Sequence, residues 1–348
     1  MRPLIPNKPT HIPSTAHFIW FGEGLHWLHA MAIRTACLHG GFDRVVLHCD
    51  RSLEHLAAWR ELEGLDGLEV RRIDLTRTLM RCGHLGPRLE AIANRLEKPA
   101  ARANLLRAAL LYSEGGVYLD TDTITLRPFD DLRQGFGAFC GEEHIVFPAT
   151  VANDKRPLTL ASALARSAAR EGMRLMPDGW AAFARVADRY HRAANNAVLG
   201  ARPGHALMRR LLEGMTRVPE DRVTVRFALG THLLQKTLAD FREYDLWVAP
   251  PAVFYPLGPE ISQHWFKPTR RLRLEAMVRP ETRVVHWYAS VRCAELLPRV
   301  DRDWVGKNRH EVPIAALLTA VMDGRRQAPR PRVVPRPAAR RVWVAEPA

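Results

Sequence analysis

Cysteine is scarce in this chain of 348 residues. The five present, Cys37, Cys49, Cys82, Cys140 and Cys293, are scattered, odd in number and form no C-x-x-C pair. That excludes a disulfide framework and a cysteine zinc site, and leaves reduced thiols as the expectation. Long apolar runs are also missing, since none reaches the roughly 18 residues of a membrane span. The opening MRPLIPNKPTHIPSTAHFIWFG lacks the continuous apolar core of a secretory signal. The expected compartment is therefore the cytoplasm. Acidic residues are the minority, 37 against 51 Lys and Arg, which sets a net charge of +14. Such a balance suits anionic partners: nucleotide diphosphates, acidic membranes or nucleic acid. No internal repeat and no nucleic-acid module is visible.

What is present is ordinary for a globular protein: 47% hydrophobic and 25% charged residues. Residues 1–16 are Pro-rich and read as irregular. His17 to Phe21 reads as a buried strand, Leu25 to Leu38 as a helix and Arg44 to Cys49 as a strand. Ser52 to Glu63 reads as a helix capped by Ser52, and Leu68 to Ile73 as a strand. Strand–helix alternation predicts an α/β fold with a mostly parallel sheet, whose ligands bind beyond the carboxyl ends of the strands. Trp20, Asp50 and Asp120 fall at such ends. Residues 157–194, rich in Ala and Arg, read as a helical insertion into a domain spanning 17–323. From Gly324 on, seven arginines face only Glu346 among many prolines, so 324–348 is expected to be a disordered tail.

One stretch organises the rest. Ala101 to Tyr112 reads as a helix, ended by Gly115-Gly116. Val117-Tyr118-Leu119 reads as a short buried strand leading into Asp120-Thr121-Asp122. In an extended strand, residues two apart share a face, which would align Tyr118, Asp120 and Asp122. Two crowded carboxylates repel each other, and a divalent cation relieves that repulsion; hard oxygen ligands suit Mg2+ or Mn2+. A D-x-D pair alone is equally a solvated turn. On the helix, Asn104 and Arg107 lie one turn apart and face the same strand.

The whole arrangement of helix, G-G-V-Y-L-D-T-D and L-R-P-F-D-D resembles the sugar-binding region of DXD glycosyltransferases. That class includes initiating mannosyltransferases, capsular polysaccharide transferases and large glucosylating toxins. The opening I-P-S-T-A-H-F-I-W-F-G resembles the start of the same family, as does the N-A-V-L-G-A-R-P-G-H segment from Asn196. The late H-W-Y-A-S from His286 resembles its H-x-W-x-x-S-W closure, with Val291 in the final Trp position. The resemblance implies a GT-A-type nucleotide-sugar fold with helical insertions and a metal-dependent, retaining hexosyltransferase. It implies Mn2+ or Mg2+ as cofactor, held by Asp122 and His286. Asp120 and Asp122 are the implied catalytic residues; Trp20, Asn104, Arg107, Tyr118, Asn196 and Ser290 are the implied donor contacts. Trp20 would stack on the donor base. The family usually has Asp where Asn104 stands. Structural readings stay open beside these: Trp20 as a core residue, Asn196 as a turn residue and His286 as a strand histidine.

The expected partners are a nucleotide-sugar donor and a saccharide or lipid-linked acceptor, in cell-surface polysaccharide synthesis. The basic tail could add peripheral contact at the inner membrane face. Two other functions compete. L-D-T-D-T-I-T loosely imitates the nucleophile loop of haloacid-dehalogenase-type phosphatases. The charge alone would suit a basic nucleic-acid-binding protein.

Overall fold

A computed structural model describes residues 11–148, 151, 156–225, 228–242, 245–291 and 294–324. The fold opens with β1 (Thr15–Trp20), α1 (Trp27–His39) and β2 (Arg44–Cys49). It continues through β3 (Leu68–Arg72), α2 (Leu75–Met80), α3 (Gly86–Ala93) and α4 (Pro99–Ser113). Then come β4 (Gly116–Leu119), β5 (Thr123–Thr125), α5 (Asp130–Gly135) and β6 (Ala138–Ile145). After α6 (Pro157–Leu175) and α7 (Gly179–Val186) the chain returns as β7 (His191–Ala201), then α8 (Ala206–Thr216) and α9 (Thr231–Ala239). β8 (Leu246–Ala249), β9 (Val284–His286), α10 (Arg302–Asn308) and α11 (Pro313–Met322) complete it.

The central sheet has seven strands in the order β3-β2-β1-β4-β7-β6-β8. β7 runs antiparallel to both its neighbours; every other pairing is parallel. β5 and β9 form a separate two-stranded antiparallel ribbon. This is the expected mostly parallel α/β architecture. β1 is buried along almost its whole length, as a strand covered on both faces must be. On one face Phe18, Leu47 and Val117 pack with Ala30 and Ile33 of α1. On the other, Ile19, Tyr118 and Leu199 pack with Leu105, Leu106 and Leu110 of α4 and Leu207 and Leu211 of α8. A third cluster joins Trp265 and Trp287 to Ile314, Leu317 and Leu318 of α11. Among the described residues, no helix is long and apolar enough to cross a membrane.

Helix α4 starts at Pro99, where a missing N–H costs nothing. It ends because Gly115 takes φ +71 and Gly116 φ +105, both left-handed. A Cβ on Gly115 would strike the Pro203 ring, and one on Gly116 would lie 2.5 Å from the Thr15 carbonyl oxygen. The double glycine therefore turns the chain from helix to strand in a space that admits no side chain.

Several expectations are corrected. Thr15 and Ala16 already belong to β1, so the irregular opening is shorter than residues 1–16. Between Ser52 and Glu63 only Ala57–Glu61 is helical, as a 3-10 turn, because Leu53, Ala58 and Leu62 anchor an irregular segment to the core. The helical insertion stops short of 194. Residues 191–194 pair with Ile145 to Glu142 of β6, and this pairing overrides the helix preference of Ala. The tail from 325 to 348, Cys293 and residues 1–10 lie outside the described residues.

Candidate active site

The site forms where the ends of β1 and β4 meet the β5–β9 ribbon. β4 stops at Leu119, so Asp120 follows the strand, and Thr121 and Asp122 sit in the turn before β5. The two carboxylates are therefore not aligned by strand alternation, as the letters suggested; a turn folds them together. That turn is pinned from several directions. The Asp120 N–H donates to the Ala197 carbonyl of β7 at 2.8 Å, and the Trp287 N–H donates to the Asp122 carbonyl at 3.0 Å. The Thr123 hydroxyl donates to the Asp120 carbonyl at 2.7 Å, and His29 Nδ1 lies 3.0 Å from the Thr121 carbonyl oxygen. The ribbon register sets Thr123 opposite His286. This brings the His286 ring to Asp122 across 164 residues of chain.

Each carboxylate has its own partners. Asp120 Oδ1 accepts from the Tyr118 hydroxyl at 2.6 Å and lies 3.1 Å from Arg107 Nη2. The Arg107 guanidinium stacks on the Tyr118 ring, 4.3 Å from its centre, and donates to the Asn196 carbonyl at 2.6 Å. Asp122 Oδ1 lies 2.8 Å from His286 Nε2, and its Oδ2 accepts from the Ala289 N–H at 2.8 Å. Burial resists ionisation of Asp122, but the charge and hydrogen bond of His286 and the Ala289 N–H outweigh it, holding the carboxyl at about 2. Asp120 shifts the other way. Its burial and the neighbouring Asp122 raise it, against the pull of Arg107. His286 is raised, because Asp122 overcomes its burial.

Asp120, Asp122 and His286 offer two carboxylate oxygens and one imidazole nitrogen, all within 4.8 Å of one another. His286 Nδ1 is buried without a hydrogen-bond partner. Two oxygens and a nitrogen fit Mn2+ well and Mg2+ acceptably. Behind His286 the backbone is strained. Tyr288 takes φ +58, rare for a residue with a side chain. Its ring lies 3.9 Å from the His286 ring, and its hydroxyl donates to Glu143 Oε2 at 2.7 Å.

The remaining expected residues sit around this core. Asn196 Nδ2 donates to Asn104 Oδ1 at 2.9 Å, so the two amides form one unit between β7 and α4. Trp20 ends β1 half-buried, its indole N–H donating to the Gly24 carbonyl at 3.0 Å and its ring 4.7 Å from His29. Asp50 accepts from the Gly22 N–H at 3.0 Å and shapes the loop after β1. Ser290 is exposed, just beyond the His286 strand. Tyr118 and Arg107 are buried and turned onto Asp120. Sequence reasoning missed His29 and Glu143. Both are polar residues that only the fold buries, and no local signal in the sequence marks them. Burial raises Glu143 above the usual carboxylate range, although Tyr288 and Asn195 both donate to it.

Residues 69–136 match the family model described as "Glycosyltransferase sugar-binding region containing DXD motif". The chain carries a DXD-type sugar-binding region. It holds Asn104, Arg107, Tyr118, Asp120 and Asp122, while Trp20, Asn196, His286 and Ser290 lie outside the match. The match supports an enzyme that transfers sugars. No curated protein matches the chain. Among solved structures, mouse xyloside xylosyltransferase 1 in its apo form is 13% identical, covering 81% of this chain and 99% of its own, with a TM-score of 0.45. The galactosyltransferase LgtC in complex with donor and acceptor sugar analogs is 11% identical, covering 84% and 99%, with a TM-score of 0.42. The PaToxG glycosyltransferase is 14% identical, covering 66% and 69%, with a TM-score of 0.42.

Proposed function

We propose that the protein is a metal-dependent, retaining hexosyltransferase that moves a sugar from a nucleotide-sugar donor to a saccharide or lipid-linked acceptor. The observation that carries this reading is the convergence of Asp120, Asp122 and His286 on one point at the end of the DXD-region strand. Mn2+ or Mg2+ held by Asp122 and His286, with Asp120 beside it, would stabilise the charge that develops on the departing diphosphate. The chain's own residues prepare that point. His286 and the Ala289 N–H keep Asp122 ionised, and Arg107 opposes the protonation that burial would force on Asp120. The amide pair Asn104–Asn196 offers donors and acceptors to sugar hydroxyls. Trp20, at the end of β1, offers a ring face to the base, and Ser290 a hydroxyl to phosphate.

No side chain is assigned as a nucleophile. In front-face transfer, the acceptor oxygen bonds to the anomeric carbon on the side from which the diphosphate leaves. The acceptor's proton passes to a diphosphate oxygen, so atoms and charge balance without a covalent enzyme intermediate. Cell-surface polysaccharide synthesis, on the cytoplasmic side and with peripheral membrane contact, is the setting this reading favours. The family match to a sugar-binding region favours neither the phosphatase nor the nucleic-acid reading. The deciding experiment is a screen of UDP- and GDP-sugars for hydrolysis with and without Mn2+, which needs no acceptor. Metal-stimulated hydrolysis of at least one donor is expected. Activity on none of them, or equal activity after exhaustive chelation, would overturn the reading.

A further inference from the structure

The proposed chemistry leaves Glu143 without a task, although it is buried in the middle of β6. A carboxylate taken out of water is costly unless its oxygens are bonded. Among the described residues, its hydrogen bonds come from two neutral groups. The Tyr288 hydroxyl and the Asn195 side-chain amide each donate to Oε2 at 2.7 Å. The sheet register arranges this. Glu143 stands opposite Ala193 of β7, so Asn195, two residues further along β7, is its diagonal neighbour on the same face. Tyr288 arrives from the other side, just beyond β9.

From that one oxygen, two arms run to the two aspartates. Along the first, Asn195 Oδ1 accepts from the Ala197 N–H at 2.7 Å, and the Ala197 carbonyl accepts from the Asp120 N–H at 2.8 Å. Between them, the Asn196 carbonyl accepts from Arg107, the partner of Asp120. Along the second, Tyr288 holds φ +58, a conformation that persists only where the surroundings fix it. Its ring lies 3.9 Å from the His286 ring. The next residue, Ala289, donates its N–H to Asp122 Oδ2 at 2.8 Å. Both the β7 backbone that holds Asp120 and the β9 exit that holds Asp122 and His286 are therefore tied to Glu143.

We infer that Glu143 is a positioning residue: through Asn195 and Tyr288 it sets the spacing of Asp120, Asp122 and His286 without being a ligand itself. Partners that hold ligand side chains in place tune metal affinity although they never touch the ion. The inference rests on reading those three residues as a metal site.

The test is Mn2+ binding to the full chain without donor, followed by the loss of the free-ion signal in electron paramagnetic resonance. Saturable binding is expected in the wild type, and Asp122→Asn should abolish it. Glu143→Leu removes the shared acceptor. Tyr288→Phe removes one hydroxyl, keeps the ring, and secures the test if the leucine variant misfolds. Each should weaken Mn2+ binding by about tenfold or more, the scale of losing a group that orients a metal ligand. Glu143→Gln keeps an oxygen that can accept from both donors, and should recover most of the affinity. Leu317→Ala, a truncation in the buried cluster around α11, should lower the melting temperature and leave Mn2+ affinity unchanged, separating positioning from stability. Wild-type affinity in folded Tyr288→Phe and Glu143→Leu would overturn the inference and leave the metal site standing. So would Glu143→Gln binding no better than Glu143→Leu. Absence of saturable binding in the wild type, or binding that survives Asp122→Asn, would overturn the metal site and the inference with it.

Discussion

Across α4, two polar regions are built on opposite terms. At the D-x-D turn, each carboxylate is matched by fixed partners: Arg107 and Tyr118 for Asp120, and His286 and the Ala289 N–H for Asp122. At the sheet edge beside α2, Glu69 and Glu114 are each shared between two guanidinium groups, on side chains that are all at least partly exposed. The first region is a preorganised site whose charges are oriented before any ligand arrives, which is what catalysis on a developing charge requires. The second is a solvent-screened network at the sheet edge, where each pair contributes little. The comparison also corrects a sequence-based idea. Two neighbouring aspartates suggest a repulsive pair whose removal relieves strain, but Asp122 is a stabilised anion.

The largest effect should come from Asp122. Asp122→Ala should lower metal-stimulated donor turnover by roughly 10³-fold, the upper end for removal of one preorganised electrostatic group. It should also destabilise the protein without metal. Asp122 is held at about 2, below its ordinary 3.8. A depressed carboxyl contributes stability above its unfolded value and loses it as pH falls through the folded one, on the order of 2 kcal/mol here. Thermal melts at neutral pH and pH 3 check this. If Asp122→Ala melts higher than wild type, the repulsive picture was right.

Arg107 comes next. Arg107→Ala leaves the part-buried Asp120 carboxylate with the Tyr118 hydroxyl alone, which should cost about 2 kcal/mol in stability. Turnover should fall by about 10²-fold, because Asp120 loses its alignment. Arg107→Lys should recover only part of either quantity. An ammonium cannot pair with Asp120, reach the Asn196 carbonyl and stack on Tyr118 at once. Denaturant melts and turnover measured on the same preparations would show it; full rescue by Lys would reduce Arg107 to a point charge.

How much of this was legible beforehand depended on range. β1, β2, β4 and α4 were readable because their signals are local: apolar runs, a helix-favouring stretch rich in Ala and Leu, and a double glycine after it. Asp120 and Asp122 were readable through the motif, yet their convergence was not, since a turn pinned by Ala197 and Trp287 produces it. The residues around Glu143 were invisible for the same reason. Its partners Asn195 and Tyr288 are 52 and 145 positions away, and only the sheet brings them together. The ion pairs of Glu69 and Glu114 read in the sequence as scattered surface charge, because they form only where α2 and α4 pack at the sheet edge.

A third test separates the two regions by pH. Burial, with Arg71 adding to it, pushes His17 down to about 4 and His48 to about 3. The unfolded chain takes up protons near 6.5 that the folded chain refuses. Stability is therefore full above that value and falls as pH drops toward 4 and then 3, by on the order of 3 kcal/mol. This window overlaps the one in which Asp122 titrates only between 3.8 and about 3. His48→Gln should flatten the slope of stability against pH between 6.5 and 4 and leave the slope below about 3 intact. An unchanged slope between 6.5 and 4 would place the acid sensitivity elsewhere.

The smallest effect, and the most specific, should come from Asn104→Asp. Asn104 accepts from Asn196 Nδ2 through Oδ1, and a carboxylate keeps that acceptor. What changes is the other end of the amide. Two N–H donors become an acceptor with a full negative charge, close to the backbone at Gly230. The fold should tolerate this, since the residue is only partly buried, and a shift of under about 1 kcal/mol is expected. Nucleotide affinity should be unchanged, because Trp20 stands at the end of a different strand. Donor-sugar preference should move, because an added acceptor favours hydroxyls in a different arrangement around the ring. Ratios of kcat/KM across the UDP- and GDP-sugar panel read this directly, and competition by the free nucleotide serves as the control. A preference that moves while nucleotide competition holds would place the sugar against α4. An unchanged profile in a folded variant would leave the Asn104–Asn196 pair as a brace between α4 and β7.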